Sequence, residues 1–230
     1  SVEAFIKTDL YNPKRQMLGK EQEAWLQNAL QTSKARGAAW QVLGQQVLMG
    51  KLNIPVIPPE ELAKLELSEY ARPRVAQSQQ LAPYGLPSNL DAWDGYPAAR
   101  ERLFAMLTAH ATNPISLAGD THNGWAFNLT NQKGEAVGVE WGTPGVSSPG
   151  LENYVPLPPE QMQALLKGAS PELVACDTSQ RGWTRVTLTP EAATARWQFV
   201  SSVVDPTYET KQGLELVARA GQARLDTEPA

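Results

Sequence analysis

The residues best suited to chemistry are Gly119-Asp120-Thr121-His122-Asn123-Gly124-Trp125, which follow directly on the strand-like run Ile115-Ser116-Leu117-Ala118-Gly119. In open α/β sheets ligands gather at the carboxyl ends of strands, and this stretch occupies such an end. Asp120 and His122 are two apart, so an extended backbone points both side chains to the same side. A carboxylate and an imidazole so arranged suit a transition metal or a mixed pair of metals. Gly119 and Gly124 are expected to supply the sharp turns that expose the loop. The alternative is purely structural: Asp120 caps a turn and His122 is a satisfied polar residue. Other catalytic templates fail. Gly145-Val146-Ser147-Ser148-Pro149-Gly150 has the outline of a nucleophile elbow but carries Pro where G-x-S-x-G ends in Gly. No P-loop or dinucleotide fingerprint occurs. Cys176, within Leu173-Val174-Ala175-Cys176-Asp177, reads as a buried, inert thiol.

Composition narrows the remaining classes. A chain of 230 residues, 42% apolar and 19% charged, can bury a core of its own. Lys+Arg 20 against Asp+Glu 24 gives a net charge of −4, which argues against a broad nucleic-acid or anionic-membrane surface. One cysteine and two histidines exclude a disulfide framework, a zinc ribbon and a histidine-rich metal site. No apolar run approaches the roughly 18 residues of a membrane span, and Ser1-Val2-Glu3 opens no signal-peptide pattern.

The elements that must position Asp120 and His122 read as α/β. Leu18, Gln22, Trp25, Leu26, Ala29 and Leu30 recur at helical steps, predicting an amphipathic helix from about Gly19 to Ala35 that stops at Gly37. The run Ala38–Leu43 predicts a buried strand, and the residues to Met49 a loop leaving it. Residues 50–90 are punctuated by proline and read as a long ordered insertion or lid, with one short helix over Glu60–Ala71. A second helix is predicted over Pro97–His110, with Leu103, Phe104 and Leu107 as its apolar stripe. Trp125–Thr130 and Ala136–Gly142 read as a hairpin, and a short helix follows near Pro159–Lys167. Strands are expected at Gly182–Thr189 and Ala193–Val204, with an edge strand at Leu214–Ala220 before a polar tail. Arg100 reads as an ion-pair partner, Asp94 as a helix cap and Arg181 as a surface residue or a phosphate-side cation. All seven tryptophans fall on elements that should pack, and so read as core.

A series of motifs then occurs in order: Leu18-Gly19-x-x-Gln22-x-x-Trp25-Leu26; Ala39-Trp40-Gln41-Val42-Leu43-Gly44-Gln45-Gln46-Val47-Leu48-Met49; Asp91-Ala92-Trp93-Asp94-Gly95-Tyr96-Pro97-x-x-Arg100; Leu117-Ala118-Gly119-Asp120-Thr121-His122; Val139-Glu140-Trp141-Gly142-Thr143-Pro144 through Gly150; and Arg181-Gly182-Trp183 before a Thr-Pro-Glu turn. From about Leu18 to Val204 this order resembles the alkaline phosphatase D (PhoD-like) family of metallophosphatases. The resemblance implies an α/β fold, the carboxyl-terminal part of an α-β-β-α sandwich. Residues 1–204 would be part of the catalytic domain, with 50–90 as its insertion or lid, and 205–230 a terminal edge strand and tail. It also implies a metal-dependent phosphomonoesterase or phosphodiesterase, periplasmic or extracellular, that uses iron with calcium. Asp120 and His122 would be catalytic metal ligands. Gln45, where wider metallophosphatases commonly carry a His, would be a weak oxygen ligand or only a loop residue. Asn123, Trp125 and Ser147 would meet the phosphate-ester substrate, or respectively line the loop, fill the core and hold a turn.

Two ligands do not complete such a site. A dinuclear centre needs about six protein ligands or more, and the family's other ligands, including a cysteine and a G-D-x-x-Y aspartate, lie upstream of the matched region. The chain is therefore expected to be the carboxyl-terminal portion of the enzyme, with the amino-terminal half as its missing partner. The competing expectation is a non-catalytic fragment or binding module of the same fold.

Overall fold

A computed structural model describes residues 1–226. After the short helix α1 (Val2–Phe5) comes α2 (Lys20–Ala35), which carries Glu21 and Glu23 in its first turn and ends where Gly37 takes φ +74°. Then follow β1 (Gln41–Gly44), α3 (Pro59–Leu62), α4 (Ala71–Leu81), α5 (Pro97–His110), β2 (Pro114–Ala118), β3 (Gly124–Thr130) and β4 (Ala136–Gly142). The remainder is α6 (Pro159–Ala169), β5 (Leu173–Asp177), β6 (Gly182–Leu188), β7 (Ala192–Val200), β8 (Thr210–Arg219) and β9 (Leu225–Asp226).

Five strands form one sheet in the order β1-β2-β4-β3-β5, with β1, β2 and β4 parallel and β3 antiparallel to both its neighbours. A second, antiparallel sheet runs β6-β7-β8-β9. Strand alternation divides the core in two. Ile115, Ala126, Val139 and Trp141 face the second sheet and meet Ala195, Trp197, Phe199 and Leu216. Ala118, Trp125, Phe127 and Leu129 face the other way and are covered by Leu103, Phe104 and Leu107 of α5 and Met162 and Leu166 of α6. The fold is thus α/β, with helices on one face of a two-sheet sandwich.

Several expectations change. The proline-rich segment carries its main helix at Ala71–Leu81 rather than Glu60–Ala71, because Pro73 falls in the first turn, where a missing N–H is harmless. Leu173–Asp177 is a strand, and it encloses Cys176, whose thiol is pushed up to about 12 by burial, with Asp177 adding to the effect. Trp25 is 65% exposed and Trp183 40% exposed, so neither is core. Trp25 lies over β1, which has no strand on its outer side among the described residues, so its periodic position gains only half a partner. Arg181, by contrast, is buried. The final four residues of the polar tail lie outside the described residues.

The segment leaving β1 is the least regular and the most tightly held. Five successive backbone N–H groups donate to side chains there: Met49 and Gly50 to Glu140 (2.8 Å each), Lys51 to Glu172 (3.0 Å), Leu52 to Asp94 (3.0 Å) and Asn53 to Ser170 (3.0 Å). Glu140 is fully buried on the central strand β4 and also accepts from the Ser116 hydroxyl at 2.7 Å. Arg100 on α5 is the buried cation: it donates to Glu172 at 2.7 Å, to the Met49 carbonyl at 2.7 Å and to the Thr130 carbonyl at 3.1 Å. One guanidinium does not balance three buried carboxylates. Burial raises the Glu140 carboxyl above its usual range despite its donors, and holds Asp94 at about 7 against an ordinary 3.8.

Arg100→Met strands Glu172 without its charge partner and should lower stability by about 3–5 kcal/mol, measured by urea unfolding. Lys51→Met, at an exposed position, should cost under about 1 kcal/mol. The raised Asp94 carboxyl means the folded state keeps a proton that the unfolded chain has lost above its ordinary value. Its contribution is therefore fully present in acid and is lost as pH rises through about 7. Relative to Asp94→Asn, the unsubstituted protein should lose a few kcal/mol of unfolding free energy across that window, at about 1.4 kcal/mol per unit.

Candidate metal and phosphate site

The carboxyl ends of β1 and β2 are locked side by side: Gln45 N–H donates to the Leu117 carbonyl at 2.9 Å and Gly119 N–H to the Gln46 carbonyl at 3.1 Å. Beyond them the chain does not stay extended. Thr121 N–H turns back to the Gly119 carbonyl at 2.8 Å, and Asp120 and His122 take φ of +69° and +61°. The sharp turns thus use these two residues and not Gly119 or Gly124. The glycine at 124 is needed for another reason: a Cβ there would come within 2.9 Å of the Trp197 ring. Left-handed backbone at non-glycine residues costs on the order of 1–3 kcal/mol each and persists only where the surroundings hold it.

The surroundings here are specific. The His122 carbonyl accepts from Gly145 N–H at 2.9 Å and from the buried Arg181 guanidinium at 2.7 Å. Arg181 is ion-paired with Glu152, which also accepts from Gly150 N–H at 3.1 Å. Burial works to raise the Glu152 carboxyl, but Arg181 and that N–H outweigh it and hold it below the usual range. The His122 ring is fixed as well, with Nδ1 2.7 Å from the Pro149 carbonyl. A carbonyl only accepts, so Nδ1 carries the hydrogen and Nε2 keeps the lone pair. This is how a second partner orients a metal-binding imidazole.

Asp120, His122, Asn123 and Trp125 line one cavity of about 530 Å³. Asp120 and His122 both line the cavity, from left-handed and not extended backbone. Asn123 is 1% exposed, its Oδ1 accepting from Leu151 N–H at 3.0 Å while Nδ2 is buried without a partner. Trp125 is buried and donates its indole N–H to Thr121 Oγ1 at 2.6 Å. The structure does not bring Gln45 or Ser147 to the group. Gln45 accepts from Trp93 Nε1 at 2.6 Å, donates to Ser116 Oγ at 2.6 Å and lines a different cavity between α2 and β1. Ser147 is exposed and lies outside the cavity's lining. Arg181, read as a surface residue, and Glu152, not singled out in the sequence, brace the turn because the connection from β5 to β6 meets the loop between β4 and α6 there.

The Asp120 carboxylate is an oxygen donor that suits iron or calcium, and the His122 imidazole a nitrogen donor that suits iron and not calcium. Among the described residues no cluster of three or more His, Cys, Asp or Glu side chains forms around a metal position. The pair therefore fits part of a centre and not the whole.

Comparison with known proteins identifies the family. The family profile described as PhoD-like phosphatase matches residues 2–197. Alkaline phosphatase D of Bacillus subtilis (strain 168) is 30% identical over 200 residues, covering 85% of this chain and 28% of that protein. A solved structure titled Structure of PhoD superimposes with a TM-score of 0.65 at 26% identity, covering 94% of this chain and 36% of that one. The chain thus spans about a third of the length of either relative.

Arg181→Met removes a donor from the His122 carbonyl and leaves Glu152 unpaired. It should cost about 2–4 kcal/mol by urea unfolding and speed hydrogen exchange at Gly145 and Gly150.

Proposed function

Because the chain belongs to the PhoD-like phosphatase family, we propose that it contributes one part of the active site of a metal-dependent phosphoric-ester hydrolase. The observation that carries the reading is the braced turn in which His122 Nδ1–H is spent on the Pro149 carbonyl and Asp120 shares its cavity. Metals bound there would activate a water or hydroxide and stabilise charge developing on the phosphoryl oxygens. The chain's own residues hold the geometry. Arg181 and Gly145 fix the His122 carbonyl, Pro149 sets the ring plane, and Asn123 Nδ2 is a buried donor that a phosphoryl oxygen would satisfy. Trp125 forms a wall that keeps water from that end of the cavity.

The remaining ligands, in this reading, come from polypeptide beyond these residues, whether in a longer chain or a companion one. The relatives' greater length and the two-donor site both support that division of labour. Residues 1–204 then form part of the catalytic domain, and the segment after them adds β8 and β9 to the second sheet, β8 being an inner strand between β7 and β9 and not the edge strand expected. Iron with calcium, and a periplasmic or extracellular setting, are carried over from the family resemblance. Among the described residues no helix is long and apolar enough to cross a membrane.

The test measures bound metal and p-nitrophenyl phosphate hydrolysis for these 230 residues alone and after co-expression with the upstream region of the Bacillus subtilis relative or of the chain's own longer form. The expected result is less than stoichiometric metal and background turnover alone. Both should be gained in the complex, and both lost on Asp120→Ala or His122→Ala. Stoichiometric metal and turnover in the isolated chain would refute the shared site. No gain in any complex would favour a binding module of the same fold.

A further inference from the structure

The cavity that holds Asp120 and His122 is far larger than a phosphoryl group requires, and its extra wall comes from the proline-rich segment and α6. We propose that this chamber receives the alcohol part of the phosphate ester, and that this part is apolar: a hydrocarbon chain or an unsubstituted aromatic ring. The inference rests on the phosphoesterase reading and names its substrate class.

Three observations lead there. The chamber, about 530 Å³, lies in the range of small-molecule sites, and beyond the Asp120–His122 end it is walled by Ile54, Ile57, Val75, Leu151, Met162 and Leu166. Gln79, Ser78 and Thr121 on that wall are already engaged within the protein, which leaves the Ser88 hydroxyl and Asn123 Nδ2 among the lining side-chain groups free to meet a ligand. Gln79 accepts from Ile57 N–H at 2.8 Å and donates to the Pro55 carbonyl at 3.1 Å. The Ser78 hydroxyl donates to the Val75 carbonyl at 2.9 Å, and Thr121 Oγ1 accepts from Trp125. An alcohol rich in hydroxyls or amides, such as a sugar or nucleoside, would give up water for few partners there, whereas methylene groups lose nothing. The wall is also built in advance. Ile54 N–H donates to the Leu86 carbonyl at 3.1 Å and Ser88 N–H to the Leu52 carbonyl at 2.8 Å, tying the two ends of the segment together.

The charge on the wall suits an ester of phosphate. Arg74, exposed on α4, lies over the Tyr70 ring at 3.6 Å and donates to the Tyr70 carbonyl at 2.9 Å. Tyr70 in turn packs against Tyr154, which lines the chamber, with ring centroids 6.1 Å apart. Stacking holds the Arg74 guanidinium as a cation in the lining of the same chamber. The ligand class is thus an anionic head on an apolar body.

The experiment uses these 230 residues completed by the co-expressed upstream region, and measures n-alkyl phosphates from ethyl to octyl as competitors of p-nitrophenyl phosphate hydrolysis, their inhibition constants giving Kd. The matched n-alkanols, inorganic phosphate and ribose 5-phosphate serve as comparisons. The expected result is a Kd that tightens about threefold to fourfold per added methylene until the chamber is full. Each alkanol should bind more weakly than its phosphate, and ribose 5-phosphate more weakly than pentyl phosphate. Val75→Asp should flatten the series. Should that variant fail to fold, Val75→Ala enlarges the chamber and should move the tightest-binding length to a longer chain. A flat series, with phosphate still bound, overturns the apolar chamber and spares the phosphoesterase reading. Alkanols binding as tightly as their phosphates overturn the phosphate end of both readings. Tighter binding of ribose 5-phosphate, or no binding of octyl phosphate at millimolar concentration, overturns the chamber's assignment.

Discussion

Everything around the candidate site depends on how a stretch of irregular backbone is kept dry and still. Residues 49–53 leave the parallel edge strand β1 with no ladder or helix to take their N–H groups, and they lie against the core. Buried donors without partners are expensive. The protein meets that cost with acceptors that strands and helices bring from elsewhere: Glu140 from the central strand, Glu172 from the approach to β5, Asp94 from the turn before α5 and Ser170 from the end of α6. Charged acceptors make shorter, stronger bonds than carbonyls. They bring a second cost, that of buried charge, which Arg100 offsets only in part. The raised Asp94 and Glu140 carboxyls are the remainder of that imbalance.

That anchoring positions the segment which follows. With its root held by carboxylates and its ends bridged near Asn53 and Pro87, the proline-rich stretch stands as a wall beside the turn that bears Asp120 and His122. The turn has its own brace, since two left-handed residues in succession around Thr121 would relax without Arg181, Gly145 and Pro149. Both halves of the cavity are therefore held by hydrogen bonds between residues far apart in the chain. Local conformational preference would favour neither.

Much of the fold was legible because the physics involved is local. Helix α5 matches its predicted span, bounded by Pro97 and the Asn113-Pro114 break, and the hairpin of β3 and β4 stands where its alternation put it. Arg100 also meets the ion-pair role read for it. Misreadings arose wherever a pattern needed a distant partner to take effect. Trp25 is in register with the apolar stripe of α2, yet β1 is an edge strand and offers it little to cover. Leu173–Asp177 is short and mixed in polarity, and becomes a strand only through pairing with β3. Arg181 looked like a surface cation because neither Glu152 nor the His122 carbonyl is near it in sequence.

The same division runs through the site. By itself the sequence determined the α/β order, the placing of Asp-Thr-His at a strand end and the family, because residue types and their spacing are properties of the chain. It also carried the shortage of His and Cys, two and one in the whole chain. Only the tertiary structure decided that the turn is left-handed, that Gln45 is committed to Trp93 and Ser116, and that Ser147 stands apart. It alone disclosed the apolar chamber. Each of these depends on which groups meet across tens of residues, and that is set by packing two sheets and six helices around buried charge, where no local rule reaches.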